Sequence, residues 1–229
     1  MDEEVRGRFN ARAGAAHLTL SDVLVERLLA YYALLTRWNT VINLTSLDEP
    51  DAAIDRLLLE PVAAAAHLPR GPSMVDLGSG GGSPAIPLAL ASGAVSLQMI
   101  EARTRKAAFL REAVRELGLQ ARVEAARFDD VLRETQLPSP TVISARAVRL
   151  GPDSWKLIAG AVTGQSRVAL FLGASQRLER TDYPSTLRQV GRYPLVPANQ
   201  SSLMVLAKVV GSVPRGTSEQ PNIFGRITK

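Results

Sequence analysis

The sequence predicts an α/β fold in which a doubly wound, mostly parallel sheet carries helices on both faces, ends in an antiparallel strand pair and is preceded by a helical segment. Three features predict it. From residue 73 onward, short β-rich apolar runs alternate with helical ones, the pattern of a parallel sheet with crossover helices. One run, Met74-Val75-Asp76-Leu77, passes directly into the glycine-rich turn Gly78-Ser79-Gly80-Gly81-Gly82-Ser83 and a helix opened by Pro84. The last two runs, near residues 188–196 and 202–210, are separated by a short Pro-Ala-Asn-Gln-Ser turn, so they are expected to pair antiparallel.

Residues 1–70 are expected to form an N-terminal helical extension packed on the core, residues 71–211 the sheet domain, and residues 212–229 a tail. Residues 1–18 are small, charged and aperiodic, which reads as a frayed arm. Its Arg6, Arg8 and Arg12 are either phosphate contacts or part of an untethered terminus. Ser21 or Asp22 caps a helix in which Val25, Leu28, Leu29, Tyr32, Leu35 and Trp38 recur at helical spacing. The stretch from Trp38 to Thr45 breaks that period, and its Asn and Thr side chains suit a turn. A second helix starts after Asp48-Glu49-Pro50, runs through Ile54, Leu57, Leu58 and Val62 to about His67 despite Pro61, and stops at Pro69-Arg70-Gly71-Pro72. Strands are then predicted at 73–78, 95–101, 121–126, 140–145 and 166–172, with helices at 84–92, 104–118 and 152–162.

At 229 residues the chain is long enough for one catalytic unit with an appended subdomain. Cysteine is absent, which excludes disulfides, thiolate metal sites and thiol nucleophiles; no metal is expected. No window reaches ~18 uninterrupted apolar residues, and Asp2, Glu3 and Glu4 stand where a signal peptide carries basic residues. A cytoplasmic monomer with no membrane partner is the expectation. The formal net charge of +5 suits an anionic partner. Lysine occurs only at 106, 156, 208 and 229, so most of the positive charge is arginine; phosphate binding and a genomic composition bias both account for that.

Glycines after a parallel strand let the backbone approach a ligand, and the next helix N-terminus offers free N–H groups. The following strand ends in Ile100-Glu101. Its carboxylate, about twenty residues past the turn, could accept both ribose hydroxyls of a nucleoside; the alternative is a first-turn acid for the helix starting near Thr104. Dinucleotides and S-adenosylmethionine share this logic. The turn has the form Asp-x-Gly-x-Gly-x-Gly from Asp76 to Gly82, and a carboxylate there suits the cationic methionine end of S-adenosylmethionine better than a pyrophosphate. The reading is a class I, Rossmann-like methyltransferase, with which the closing antiparallel pair agrees.

More specific motifs run from about residue 37 to residue 172. Trp38, Asn39, Asn43, Leu44 and Thr45 match Trp-Asn-x-x-x-Asn-Leu-Thr. The glycine loop leads into Pro84-Ala85-Ile86-Pro87-Leu88, and the next strand into Glu101-Ala102-Arg103-Thr104-Arg105-Lys106-Ala107-Ala108-Phe109-Leu110. Arg127-Phe128-Asp129-Asp130 and Ser144-Ala145-Arg146-Ala147 follow the third and fourth strands. In these motifs the chain resembles the glucose-inhibited division protein B family, the bacterial small-subunit rRNA guanine-N7 methyltransferases.

The resemblance implies S-adenosylmethionine as cofactor, a guanine N7 of 16S rRNA as methyl acceptor, and rRNA or the ribosomal subunit as partner. It implies that Gly78, Ser83, Phe128, Asp129 and Arg146 line the cofactor pocket, together with Asp76 and Gly80 of the turn, with Glu101 on the ribose. Phe128 and Asp129 would hold the adenine; an apolar plug at a strand end is the alternative for Phe128. Arg105, Lys106, Arg127 and Arg146 would form a basic rim for the RNA backbone, Arg127 and Arg146 positioning the substrate. Without the family, Arg103, Arg105, Arg111 and Arg115 are the solvated face of a helix. Guanine N7 carries a free lone pair, so methyl transfer asks for in-line placement more than a general base, and no catalytic residue is singled out. His17 and His67 fall on the N-terminal segment, outside this pocket.

Three departures stand out. Leu172 replaces the lysine that ends the family's fifth strand. The second-helix motif Arg-His-x-x-Asp-Ser is here Arg56-Leu57-Leu58-Leu59-Glu60-Pro61, and Ala85 replaces a glycine. They leave open a class I methyltransferase with another RNA or a small molecule as substrate, and a non-catalytic relic that binds cofactor or RNA. The intact glycine loop argues against the relic, and the acidic turn against a dehydrogenase.

Overall fold

The computed structural model describes residues 3–46 and 48–209; the predicted tail at 212–229 lies outside them. The N-terminal helices are α1 (Glu3–Ala15), α2 (Asp22–Asn39), α3 (Pro50–Ile54) and α4 (Glu60–Ala65), with a π-helical turn (Asp55–Leu59) between the last two. Strands and helices then alternate as β1 (Ser73–Leu77), α5 (Ala85–Ser92), β2 (Ser96–Ile100), α6 (Thr104–Glu116), β3 (Ala121–Glu124), α7 (Phe128–Glu134), β4 (Thr141–Arg146), α8 (Pro152–Ala161) and β5 (Arg167–Leu172). The hairpin β6 (Leu187–Pro194) and β7 (Ser202–Lys208) closes the fold.

All seven strands form one sheet in the order β3-β2-β1-β4-β5-β7-β6. β1 to β5 pair in parallel, and β7 runs antiparallel to both of its neighbours. This is the class I methyltransferase sheet that the alternation and the closing pair predict. Strand order reverses between β1 and β4, so a crevice opens at their C-terminal ends, where α/β sheets bind ligands.

Side chains alternate along each strand between two apolar layers. Met74, Leu97, Met99, Val142, Ala169 and Phe171 face the N-terminal helices, α5 and α6, while Val75, Ile143, Val168 and Leu170 face α7 and α8. Phe9, Leu28, Leu58 and Ile86 belong to the first layer, so the helices before β1 are continuous with the core of the sheet.

Three expectations need correction. The supposed N-terminal arm is helix α1, with Phe9 fully buried. Its arginines are taken by carboxylates rather than left for phosphate: Arg12 pairs with buried Asp55, Arg6 with Glu26, and Arg8 with Glu4 and Asp51 at 3.1 and 3.3 Å. Its inward face is the single row Val5, Phe9 and Ala13, with one large buried side chain, too narrow a stripe to stand out among charged and small residues. Helix α7, also unforeseen, spans seven residues of which Val131 and Leu132 are buried, too short to register as periodic. The second predicted helix is interrupted by the π turn.

Candidate active site

Backbone hydrogen bonds fold the glycine turn onto the end of β2. The N–H groups of Gly78 and Ser79 both donate to the Ile100 carbonyl, at 2.9 and 3.0 Å. Gly78, Gly80 and Gly82 take φ values of +70°, +55° and +91°, in the left-handed region that side chains disfavour. A Cβ on Gly78 would stand 2.9 Å from Val148 Cγ2, and one on Gly82 2.8 Å from Ile86 Cδ1. Buried Tyr31 on α2 donates its hydroxyl to the Gly81 carbonyl at 2.6 Å, and burial raises that hydroxyl's pKa far above the usual phenol range.

Glu101 is buried at the end of β2. Its Oε2 accepts the Gly80 N–H at 2.9 Å and its Oε1 the Arg103 N–H at 2.8 Å. The second bond supports the entry to α6, as the plainer reading supposes; the first ties the carboxylate to the glycine turn. Each oxygen retains a further lone pair for a hydroxyl donor.

The cleft above this turn has a volume of about 580 Å³. Residues 43–46 wall one side, and Arg56, Leu57, Arg146 and Val148 another. The Trp-Asn-x-x-x-Asn-Leu-Thr motif explains the first wall. Asn39 ends α2, and its Oδ1 accepts the Leu44 and Thr45 N–H groups at 2.8 and 3.0 Å, bending the chain back over Gly81. Trp38 packs edge-on against Phe109 of α6, with ring centroids 5.9 Å apart.

Beneath the turn, Asp76 is 1% exposed and stands opposite Ser144 in the sheet. Ser144 Oγ donates to Asp76 Oδ1 at 2.5 Å, while Oδ2 has no hydrogen-bond partner. Burial is the main cause that pushes the Asp76 carboxyl up to about 6; the Ser144 and Ser79 hydroxyls and Arg146 act against it, and the proximity of Glu101 adds to it.

Arg146, at the end of β4, has an 8% exposed side chain paired with Glu60 at 3.1 Å. One terminal nitrogen donates to the Arg56 carbonyl and lies 3.3 Å from Ser83 Oγ; the guanidinium carbon sits 4.8 Å from the Phe171 ring centroid. Its Nε is buried without a partner. Burial lowers its pKa to about 10.

The structure brings Gly78, Gly80, Ser83, Glu101, Lys106 and Arg146 together around the cleft. Asp76 lies behind that lining. Phe128 and Asp129 begin α7, beside the end of β3, and do not line it; Phe128 is half-buried against the second apolar layer, and Asp129 Oδ1 is buried without a partner. Arg105 and Arg127 are exposed. Arg146 is not part of an exposed rim: a guanidinium inside the protein needs an acid, and Glu60 supplies it. Leu172 lines a separate cavity of about 660 Å³ beyond Val148. His67 stacks on Tyr193 at 3.8 Å, away from the cleft. Sequence reasoning missed Glu60, although an acid inside the run from Leu57 to Val62 signals a buried charge with a partner.

Comparison with known proteins agrees with this geometry. The family model for rRNA small subunit methyltransferase G matches residues 24–185. A ribosomal RNA small subunit methyltransferase G from Neisseria meningitidis serogroup C is 40% identical over 129 residues, 56% of this chain and 62% of that protein. The one from Stenotrophomonas maltophilia is 41% identical over 143 residues, 60% of this chain and 67% of that protein. The match thus spans about three fifths of the length of the first of these relatives. Among solved structures, a mutant of MtNAS in complex with S-adenosylmethionine shares 14% identity at a TM-score of 0.52, covering 89% of this chain and 72% of that one. TrmN from Thermus thermophilus shares 18% identity at a TM-score of 0.52, over 66% of this chain and 48% of that one; both show likeness of fold. With its glycine turn, Glu101, Arg146 and the loop after Asn39 around one cleft and the family model matching most of its length, the chain belongs to the rRNA small subunit methyltransferase G family.

Proposed function

We propose that this protein transfers a methyl group from S-adenosylmethionine to N7 of a guanine in small-subunit rRNA. The observation that carries the reading is a pair of oppositely charged, buried atoms without protein partners at the glycine turn, Asp76 Oδ2 and Arg146 Nε. The methionine end of S-adenosylmethionine has both a carboxylate and cationic groups, so this donor set suits it. The cofactor supplies a methyl group on positively charged sulfur. Gly78, Gly80 and Ser83 admit and orient it, and Glu101 receives the ribose hydroxyls. Phe128 and Asp129, which open α7 outside the lining of that cleft, would hold the adenine. The protein's contribution is alignment and exclusion of water, because N7 needs no base to remove a proton.

Among the described residues, no ion pair joins Arg103, Arg105, Lys106, Arg111 or Arg127 to a carboxylate. Arg103 and Lys106 line the cleft, and these cations, with the N-terminal helices, form the surface offered to the RNA backbone. The test is methyl transfer from labelled S-adenosylmethionine to small ribosomal subunits from cells lacking this protein, with the modified base identified by mass spectrometry. N7-methylguanine in the rRNA is expected. Tight cofactor binding with no methyl transfer to the subunit would refute the substrate.

A further inference from the structure

Glu60 is 1% exposed, yet its carboxylate meets partners from three separate parts of the chain. Oε2 accepts from Arg146 at 3.1 Å; Oε1 accepts from Ser201 Oγ at 2.7 Å and Asn199 Nδ2 at 3.0 Å, with Arg56 3.8 Å away. Asn199 and Ser201 belong to the turn between β6 and β7.

The backbone just before Glu60 is shaped to the same end. Pro61 has no N–H, so the Leu57 carbonyl loses its helical donor; Ser83 Oγ takes that place at 2.8 Å. In the π turn the Glu60 N–H bonds to the Asp55 carbonyl, five residues back, which releases the Arg56 carbonyl to Arg146. Two irregularities of one helix therefore anchor two side chains of the cleft.

We propose that Glu60 is a positioning residue: with the freed Arg56 carbonyl it clamps both terminal nitrogens of Arg146, leaves Nε for the ligand, and couples the β6–β7 turn to the cleft. A buried ion pair adds little net stability over an apolar pair of the same volume, so its place here follows from what it orients. The assignment rests on reading the cleft as the S-adenosylmethionine site.

The first test needs no ligand. Nitrogen-15 spectra of the full chain should show separate, slowly exchanging terminal guanidinium signals for Arg146, which merge in E60Q while the melting transition stays cooperative. The second is calorimetry with S-adenosylmethionine. E60Q should weaken binding roughly tenfold, as for loss of one charge-assisted hydrogen bond. In an R146K background the same change should cost less than about twofold, since two residues acting as a unit are non-additive. Unchanged Arg146 signals in E60Q, or an equal penalty in both backgrounds, would overturn the proposal. If E60Q does not fold, N199A/S201A replaces it, keeping the ion pair and removing two of its supports; faster Arg146 exchange is expected, and none would overturn the coupling. Should the wild-type chain fail to bind S-adenosylmethionine, the reading of the cleft falls, and the spectra still decide whether Glu60 positions Arg146.

Discussion

Replacing Asp76 by Asn tests whether the strand-end carboxylate is held ionised against its own burial. In the folded chain its pKa stands at about 6, against an ordinary value of 3.8. The folded state therefore binds this proton more tightly than the unfolded chain. Its stabilising effect is complete below pH 3.8 and is lost as pH rises through about 6. The shift corresponds to about 3 kcal/mol at neutral pH. Asn cannot ionise and can still accept the Ser144 hydroxyl, so D76N should be more stable than wild type at neutral pH. Because the unfolded chain is already partly ionised at pH 4.5, the difference between the two proteins should grow by about 2 kcal/mol from pH 4.5 to pH 7.5. Urea unfolding of both ligand-free proteins across that range measures it. A constant difference would refute the reasoning, since it would mean that Asp76 titrates alike in the folded and unfolded states. By calorimetry the same variant should bind S-adenosylmethionine more weakly, as the proposed role of Asp76 requires.

Three further outcomes are expected. G82A should lose roughly 2–4 kcal/mol in urea unfolding, because φ of +91° and contact with Ile86, Leu110 and Tyr31 combine strain with overpacking. N39A leaves the Leu44 and Thr45 N–H groups without their acceptor and should lower stability by about 2 kcal/mol, with faster hydrogen exchange at those two amides. R105A/R127A removes two exposed cations and should leave cofactor affinity unchanged; the slope of log affinity for 16S rRNA fragments against log salt should fall by about 1.5.

The sheet was legible because alternation and glycine punctuation are local signals. The predicted strands at 73–78, 95–101, 121–126 and 166–172 each contain an observed strand, shorter by one or two residues, and the one at 140–145 is offset by one residue from β4. The antiparallel end was legible from the short connection between β6 and β7; the strand order, with β4 beside β1, has no such local signal. The cleft was legible in part: the glycine turn, Glu101 and Arg146 carry spacing signals. The N-terminal third was read least well. Helix α1 is held by Arg6, Arg8 and Arg12 pairing with acids from 20 to 43 residues away, and no window of sequence displays such pairing.

Four departures from local rules gather at the cleft. Pro61 stands inside a helical pattern, Glu60 inside an apolar run, Asp76 inside a buried parallel strand, and Ala147 takes a positive φ of +55°. Each has a partner or a consequence there: Ser83 takes the carbonyl that Pro61 leaves free, Arg146 takes Glu60, Ser144 takes one oxygen of Asp76, and the turn at Ala147 leads into Val148, against Gly78. A sequence selected for stability alone would favour leucine at 60, alanine at 61 and valine at 76. That all these costly choices converge on one cleft is the physical ground for placing function there. It also gives the degenerate second-helix motif a role: its Glu60 keeps the acidic position of the family pattern and pairs with Arg146, while Arg56 meets Arg146 through its backbone carbonyl and lies 3.8 Å from Glu60 by its side chain.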